Sequence, residues 1–239
     1  MFLNDSDGLR PSLCAWRAVF AALVLACPTA SAVEVDAEIL LLVDVTRSVS
    51  DSEFDSVMDS FAQTFESSSV LDSIQSGQAG SIAASVVFFS SRNDQAVGVS
   101  WMQISDAVSA QAFADELRIA SRPSDHPQSA VAMAVDFALP LFGTETGGPA
   151  NGFESYNQSM TLFVDAVDTH SRTGGGQSRE ETLAAASDEA LLAGVDVINA
   201  ITFGPSGALT EYYTSNVVGG SVGGLNGEAV QAPTIADVT

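Results

Sequence analysis

The chain of 239 residues has no lysine, so all 8 of its basic residues are arginines, against 30 aspartates and glutamates. The formal net charge is -22. A surface this acidic repels phosphate backbones and anionic lipid headgroups. We therefore expect neither nucleic acid binding nor peripheral membrane binding. Divalent cations, basic partners and a saline medium all suit such a surface.

Cysteine is nearly absent as well. Cys14 and Cys27 both lie close to the N-terminus, upstream of a predicted cleavage point after Ala32. A mature chain that begins at Val33 would contain no thiol. This excludes a cysteine nucleophile and a zinc site built on cysteine.

The leader itself has the pattern of an export signal. Arg10 and Arg17 precede a short apolar run, and the small residues of Ala30-Ser31-Ala32 suit a signal peptidase. We predict a signal peptide over residues 1–32 and a secreted or periplasmic mature domain over residues 33–239. The letters "VLAC" before the second cysteine leave lipidation at Cys27 as an alternative. The mature chain has no apolar run long enough for a transmembrane helix.

Several catalytic and nucleotide-binding motifs are also missing. Neither Gly-x-x-x-x-Gly-Lys nor Gly-x-Gly-x-x-Gly occurs, which argues against a phosphate-binding loop. No Gly-x-Ser-x-Gly elbow occurs either, which argues against a serine hydrolase of that type. We therefore predict that the protein is not an enzyme.

Apolar runs alternate with helical patterns along the mature chain. This predicts a doubly wound, mainly parallel α/β sheet with helices on both faces. The expected strands are 39–45, 82–89, 96–104, 160–167 and 195–203. The expected helices begin at the capping box Ser50-Asp51-Ser52-Glu53 and cover 106–120, 129–142, 180–193 and 209–216.

Polar side chains follow the first of these strands at alternate positions. In extended backbone, residues spaced by two face the same side, so Asp44, Thr46 and Ser48 would present a carboxylate and two hydroxyls to one point. Such hard oxygen ligands suit Mg²⁺ or Mn²⁺. The simpler interpretation is a strand end with a local turn and a helix cap.

Two further residues extend the pattern. Ser129 begins a predicted helix, and Asp168 ends the predicted strand within "MTLFVDAVD". Asp44-Val-Thr46-Arg-Ser48, followed by Ser129 and Asp168, resembles the metal-ion-dependent adhesion site of von Willebrand factor A-type domains. The stretches "EILLLVDVTRSVSDSEF" and "GVDVINAITF" resemble a bacterial subfamily of these domains whose function is uncharacterised.

The resemblance implies a working arrangement. Thr46, Ser48 and Ser129 would bind the metal directly, and Asp44 and Asp168 would act largely through water. Mg²⁺ or Mn²⁺ would be the cofactor. An open coordination position would take a carboxylate from a partner protein or another carboxylate-bearing ligand.

The chain also departs from the family pattern. Thr46 stands for a serine and Ser129 for a threonine, with the hydroxyl kept in both. Asp165 competes with Asp168 for the last position, and the helix that usually ends these domains is not evident. Two alternatives remain open, a metal-dependent hydrolase that uses His170 and a structural domain with a vestigial site.

Overall fold

The computed structural model describes residues 31–123, 126–204 and 207–232. The signal sequence predicted near the N-terminus, with both cysteines and the lipidation alternative, falls almost wholly outside these ranges. The helices and strands of the described residues are, in chain order, β1 (Val33–Val35), β2 (Ala37–Asp44), α1 (Asp51–Glu66), α2 (Ser68–Gln75), β3 (Ile82–Phe89), β4 (Gln95–Ile104), α3 (Ala107–Ile119), α4 (Val131–Ala138), a 3-10 helix (Leu139–Thr146), β5 (Phe153–Ser155), β6 (Gln158–Val164), α5 (Arg179–Ala193), β7 (Val197–Phe203), α6 (Gly207–Asn216), β8 (Gly219–Val222), β9 (Leu225–Asn226) and β10 (Ala229–Ala232).

The main sheet has the strand order β4-β3-β2-β6-β7-β8-β9, with β10 also paired to β7. Strands β3, β2, β6, β7 and β10 run parallel, whereas β4 and β8 are antiparallel to their neighbours. The sheet is therefore mixed, and the prediction of a mainly parallel sheet holds only for its centre. Helices lie on both faces, as predicted.

Side chains of β2 alternate between two cores, because successive residues of a strand point to opposite faces. Leu41 and Val43 pack with α1 and α3, and Leu40 and Leu42 pack with α4, α5 and α6. On the first face, the rings of Phe61 and Phe163 meet edge to face with centroids 4.4 Å apart. Strand β2 is buried on both faces, and this packing fixes the position of its carboxyl end.

The start of α1 follows its predicted cap. Ser50 accepts a hydrogen bond from the backbone N–H of Glu53, and the Glu53 side chain accepts one from the backbone of Ser50, so the predicted capping box opens α1. The helix predicted over 129–142 is wrong in length. The α-helix ends at Ala138, and a 3-10 helix with Pro140 in its first turn and a left-handed Gly143 follows it.

The strand predicted over 160–167 ends earlier, at Val164. Asp165 therefore follows the strand directly, and Asp168 lies in the loop beyond it. Among the described residues, no terminal helix follows α6; the short strands β8, β9 and β10 come instead. No helix in the described part of the chain is long and apolar enough to span a membrane.

A buried carboxyl group lies near the start of β2. Glu38 is fully buried, and its two oxygens accept hydrogen bonds from Asn151 Nδ2 and Ser155 Oγ. Glu145 contacts it, and Glu145 Oε2 is buried without a hydrogen-bond donor. Burial raises the pKa of Glu38 from 4.5 to about 7, because desolvation disfavours its charged form and Glu145 adds to this effect. A proton between the two carboxyls would supply the missing donor.

Candidate metal site

The parallel strands end together at one edge of the sheet. Asp44 is level with Phe89 of β3, Val43 with Phe163 of β6, and Val164 with Thr202 of β7. We call this the site edge. In open α/β sheets, ligands bind beyond the carboxyl ends of the strands, so this is the expected place for a site.

Asp44 is the centre of the cluster at this edge. One carboxylate oxygen accepts the backbone N–H of Thr46 at 2.8 Å, and the other accepts the Ser129 hydroxyl at 3.0 Å. The hydroxyls of Thr46 and Ser48 lie 2.9 Å apart. Four of the five predicted site residues are thus brought together from two loops that are 85 residues apart in sequence.

The fifth predicted residue, Asp168, has another arrangement. One of its oxygens accepts the backbone N–H of Ala132 at 3.0 Å, and the other accepts those of His170 and Ser171 at 3.1 and 2.9 Å. The residue before α4, Ala130, has no side-chain cap of its own. The carboxylate of Asp168 therefore caps the first turn of α4 from a distant loop.

Asp165 points to the cluster instead. Its carboxylate is hydrogen-bonded to Ser48, and its charge raises the pKa of Asp44. Its Oδ1 atom is buried and has no hydrogen-bond partner. Asp165 could have been selected from the sequence, since it is the first polar residue after the apolar strand.

Burial is the main cause of the unusual electrostatics of the two carboxylates. It raises the pKa of Asp44 from 3.8 to about 7, against hydrogen bonds from Thr46 and Ser129 that lower it. Burial also raises the pKa of Asp165, and the hydrogen bond from Ser48 lowers it. Two partly desolvated carboxylates face each other here, which is unfavourable unless a proton or a cation compensates them.

The donor set fits a small divalent cation. It consists of carboxylate and hydroxyl oxygens, which are the ligands of hard cations such as Mg²⁺ or Mn²⁺. The partnerless Asp165 Oδ1 is an oxygen that a cation could use. No set of three or more His, Cys, Asp or Glu side chains in the described ranges could hold a metal, so the hydroxyls are essential to this fit.

Arg122 holds the loop that carries the first three site residues. Its Nη2 donates to the carbonyls of Val45, Thr46 and Val49 at 3.1, 2.9 and 2.5 Å, and its Nη1 lies 2.6 Å from Asp51 Oδ1. Sequence reasoning missed this residue. A contact between a guanidinium and carbonyls more than 70 residues away leaves no periodic signal.

The loop after β6 is tied to the loop before α4 through its backbone. Thr169 and His170 both donate N–H groups to the Ser129 carbonyl at 2.8 Å, and Ser129 N donates to Thr169 Oγ1 at 3.0 Å. Arg92 adds a contact of 3.3 Å to the His170 carbonyl. His170 is thus placed beside the cluster by its main chain. The hydrolase hypothesis that uses its imidazole stays a prediction.

A family model described as "Protein of unknown function (DUF1194)" matches residues 34–223. The chain belongs to this family. Comparison with curated protein sequences gave no match.

Solved structures show that this DUF1194 chain has a von Willebrand factor A fold. Proximal thread matrix protein 1 from the mussel byssus, solved with a zinc-occupied MIDAS motif, is similar with a TM-score of 0.58 and 13% identity, over 87% of this chain and 46% of that one. The pilus adhesin SpaC from Lactobacillus rhamnosus GG gives 0.58 and 13%, over 85% and 29%. A von Willebrand factor type A protein from Catenulispora acidiphila gives 0.53 and 12%, over 85% and 40%. The chain thus spans less than half the length of each.

Proposed function

We propose that this protein is an exported binding domain that holds a divalent cation at the site edge and uses it to capture a carboxylate of a partner. The observation that carries the proposal is that the carboxylates of Asp44 and Asp165 and three hydroxyls come together at the site edge, where Asp165 Oδ1 is a buried oxygen with no hydrogen-bond partner. The zinc-occupied MIDAS motif of the byssus protein and the adhesin role of SpaC support it by analogy of fold.

The site residues would have different roles according to their chemistry. The hydroxyls of Thr46, Ser48 and Ser129 would ligate the cation, and the carboxylates of Asp44 and Asp165 would balance its charge directly or through water. The bound cation supplies a positive charge and an open coordination position. Ser48 is exposed whereas Thr46 and Ser129 are each 2% exposed, so a partner carboxylate would approach from the side of Ser48.

We propose Asp165, rather than Asp168, as the last carboxylate of the site. One oxygen of Asp168 accepts the backbone N–H of Ala132 in the first turn of α4, and the other accepts those of His170 and Ser171 in its own loop, so both oxygens already stabilise the fold. Asp165 lies beside Ser48 and Asp44 and keeps a buried oxygen without a partner. The sequence-based choice of Asp168 rested on a strand that was drawn three residues too long.

Thermal unfolding of the mature chain with Mg²⁺ or Mn²⁺ tests the site. A cation at about a hundred times its dissociation constant adds about 2.7 kcal/mol to the free energy of unfolding. We expect this gain in the wild type and its loss in Asp44→Ala and Asp165→Asn. Absence of any gain in the wild type would contradict the proposal.

Asp168→Asn is the matched control for Asp165→Asn. An asparagine at 168 keeps one oxygen acceptor for the backbone of α4, so we expect a lower stability but an unchanged gain with the cation. The opposite result, in which Asp168→Asn removes the gain and Asp165→Asn keeps it, would restore the prediction made from sequence. Anomalous density in crystals soaked with Mn²⁺ would show the ligands directly.

A further inference from the structure

The segment between α4 and β6 meets the sheet where β2 and β6 begin, at the edge opposite the site edge. It comprises residues 139–157, which include the 3-10 helix and β5, and we call it the strap. The Asn157 carbonyl accepts the backbone N–H of Glu38 at 2.9 Å, and β5 pairs in parallel with β1. The strap therefore joins the central strand β2 to β1, the first strand of the described residues.

The side chain of Glu38 holds the strap against β2. One of its oxygens accepts a hydrogen bond from Asn151 Nδ2, and the other accepts one from Ser155 Oγ at 2.9 Å. Glu145, in the 3-10 helix of the strap, contacts the same carboxyl group, and its Oε1 accepts the backbone N–H of Ser155 at 3.0 Å. Ser155 is thus bonded to both carboxyl groups. A separation of Glu38 from Glu145 would break one of these bonds and loosen β5.

The contact between Glu38 and Glu145 needs a proton. Glu38 is fully buried, and Glu145 Oε2 is buried without a hydrogen-bond donor in the described chain. Two ionised carboxylates that touch away from water repel each other strongly, whereas one shared proton removes the repulsion and supplies the missing donor. The closed strap therefore favours the form of the pair that holds one proton.

Among the described residues, no positive charge faces this pair to replace the proton. The titratable groups of the surrounding elements are acids and one tyrosine, namely Glu34, Asp36, Asp136, Glu154, Tyr156, Asp188, Glu189 and Asp196. The Glu145 carbonyl lies against Gly194 at the end of α5, and Arg179 is at the other end of that helix, about 22 Å away. On the neighbouring strand β3, Ala83 is level with Glu38.

The exchange of this proton with water couples the strap to pH. Burial raises the pKa of Glu38 from 4.5 to about 7, whereas a carboxyl group released to water regains its ordinary pKa of 4.5. The open form therefore loses its proton at a lower pH than the closed form. Opening becomes about tenfold more favourable for each pH unit between 4.5 and about 7. Above about 7 it changes no further, because the closed form has lost the proton as well.

We infer that Glu38 and Glu145 form a proton-operated latch, which closes the strap on β2 while the two carboxyls share a proton and releases it when both are ionised. The released part is residues 145–155 together with β1, which pairs with β5. The site edge lies at the other end of the strands, and no residue of the candidate metal site belongs to the strap. The inference therefore does not depend on the proposed function.

Hydrogen–deuterium exchange of the mature chain, measured by mass spectrometry without divalent cations from about pH 5 to about pH 8.5, tests the latch. After correction for the intrinsic effect of pH on amide exchange, opening of the strap peptides should increase about tenfold per pH unit up to about pH 7 and then level off. Amides of β3 should stay more strongly protected than the strap at every pH. This difference would show that the strap opens while the sheet remains folded.

Three variants make the test specific. Glu38→Gln cannot ionise, and its amide can donate to Glu145, so the corrected exchange of the strap should no longer depend on pH. Glu145→Gln places an amide donor beside Glu38 and should weaken the dependence on pH. Glu154→Gln changes an exposed carboxylate of β5 and is the matched control, which should keep the full dependence of the wild type.

Three results would overturn the inference. Corrected exchange of the strap that does not change with pH would exclude the proton. Equal protection of the strap and β3 at every pH would mean that the proton stabilises the whole fold and not the strap in particular. If Ca²⁺ or Mg²⁺ restored the protection of the strap at about pH 8 in the wild type and not in Glu38→Gln, the pair would hold a cation instead of a proton.

Discussion

Replacement of Glu38 by glutamine should alter how the stability of the protein depends on pH. Glu38 is fully buried, and its pKa is raised from 4.5 to about 7 chiefly by desolvation. A carboxyl group with a raised folded-state pKa contributes stability that is fully present below pH 4.5 and is lost as the pH rises through about 7. The wild type therefore loses stability across this interval.

The size of the loss follows from the same values. The difference between 4.5 and about 7 corresponds to on the order of 3 kcal/mol of unfolding free energy, at about 1.36 kcal/mol for each pH unit. Glu38→Gln does not titrate, and its amide can still accept from Asn151 or Ser155 and donate to Glu145. We therefore expect the unfolding free energy of the variant, relative to that of the wild type, to rise steadily from about pH 4.5 to about pH 7, by up to about 3 kcal/mol.

Urea denaturation of both proteins over this range, in buffer without divalent cations, measures the difference. Asp44 titrates in the same interval in both proteins, so the quantity of interest is the gap between the two curves and not the slope of either. Asp72→Asn, which changes an exposed carboxylate of α2, is the control. The difference in unfolding free energy between Asp72→Asn and the wild type should stay nearly constant over this pH range. Parallel curves for the wild type and Glu38→Gln would refute the assignment of a buried, proton-sharing carboxyl.

Three further substitutions, with Val108→Ala as a control, test the loop of the site, the cap of α1 and the core. Arg122→Gln removes the donor to three loop carbonyls, so we expect a loss of about 2 kcal/mol in urea denaturation and weaker binding of Mg²⁺; unchanged binding would contradict its role in shaping the loop. Ser50→Ala removes the cap of α1 and should cost about 1 kcal/mol, and an unchanged midpoint would refute the cap. Phe61→Ala should cost about 3 to 5 kcal/mol because Phe61 packs on Phe163, whereas Val108→Ala on the exposed face of α3 should change stability by less than about 0.5 kcal/mol. Equal losses in Phe61→Ala and Val108→Ala would contradict the described core.

Local signals in the sequence predicted the centre of the fold well. The apolar run into Asp44 and the capping box at Ser50 are each contained within a few residues, and β2 and α1 lie where these signals placed them. The short helix α2 and the short strands β1, β5, β8, β9 and β10 were missed. Short elements of this kind gain their stability from the surface on which they pack, and the sequence pattern alone does not reveal that surface.

The candidate site was predictable only in part for a related reason. The spacing of Asp44, Thr46 and Ser48 is local, and the place of Ser129 followed from the start of a helix. The sequence-based choice fell on Asp168 rather than Asp165 because the apolar pattern continues through Ala166 and Val167 after the strand has ended, although Val167 is 40% exposed. The cap that Asp168 gives to α4 joins segments that are 36 residues apart, and no local rule indicates it.

The absence of lysine and the placement of the arginines also determine how this protein reacts with common reagents. Trypsin has only arginine sites in the described chain. Apart from Arg118 in α3 and Arg179, the first residue of α5, these sites lie in loops and are Arg47, Arg92, Arg122 and Arg172. A change of condition that slows tryptic cleavage would therefore indicate that these loops have become more ordered. If export cleaves the chain after Ala32, the amino group of Val33 is its primary amine, and β1 lies at the edge of the sheet opposite the site. Coupling through this amine would then attach every molecule at one point and leave the site edge facing solution.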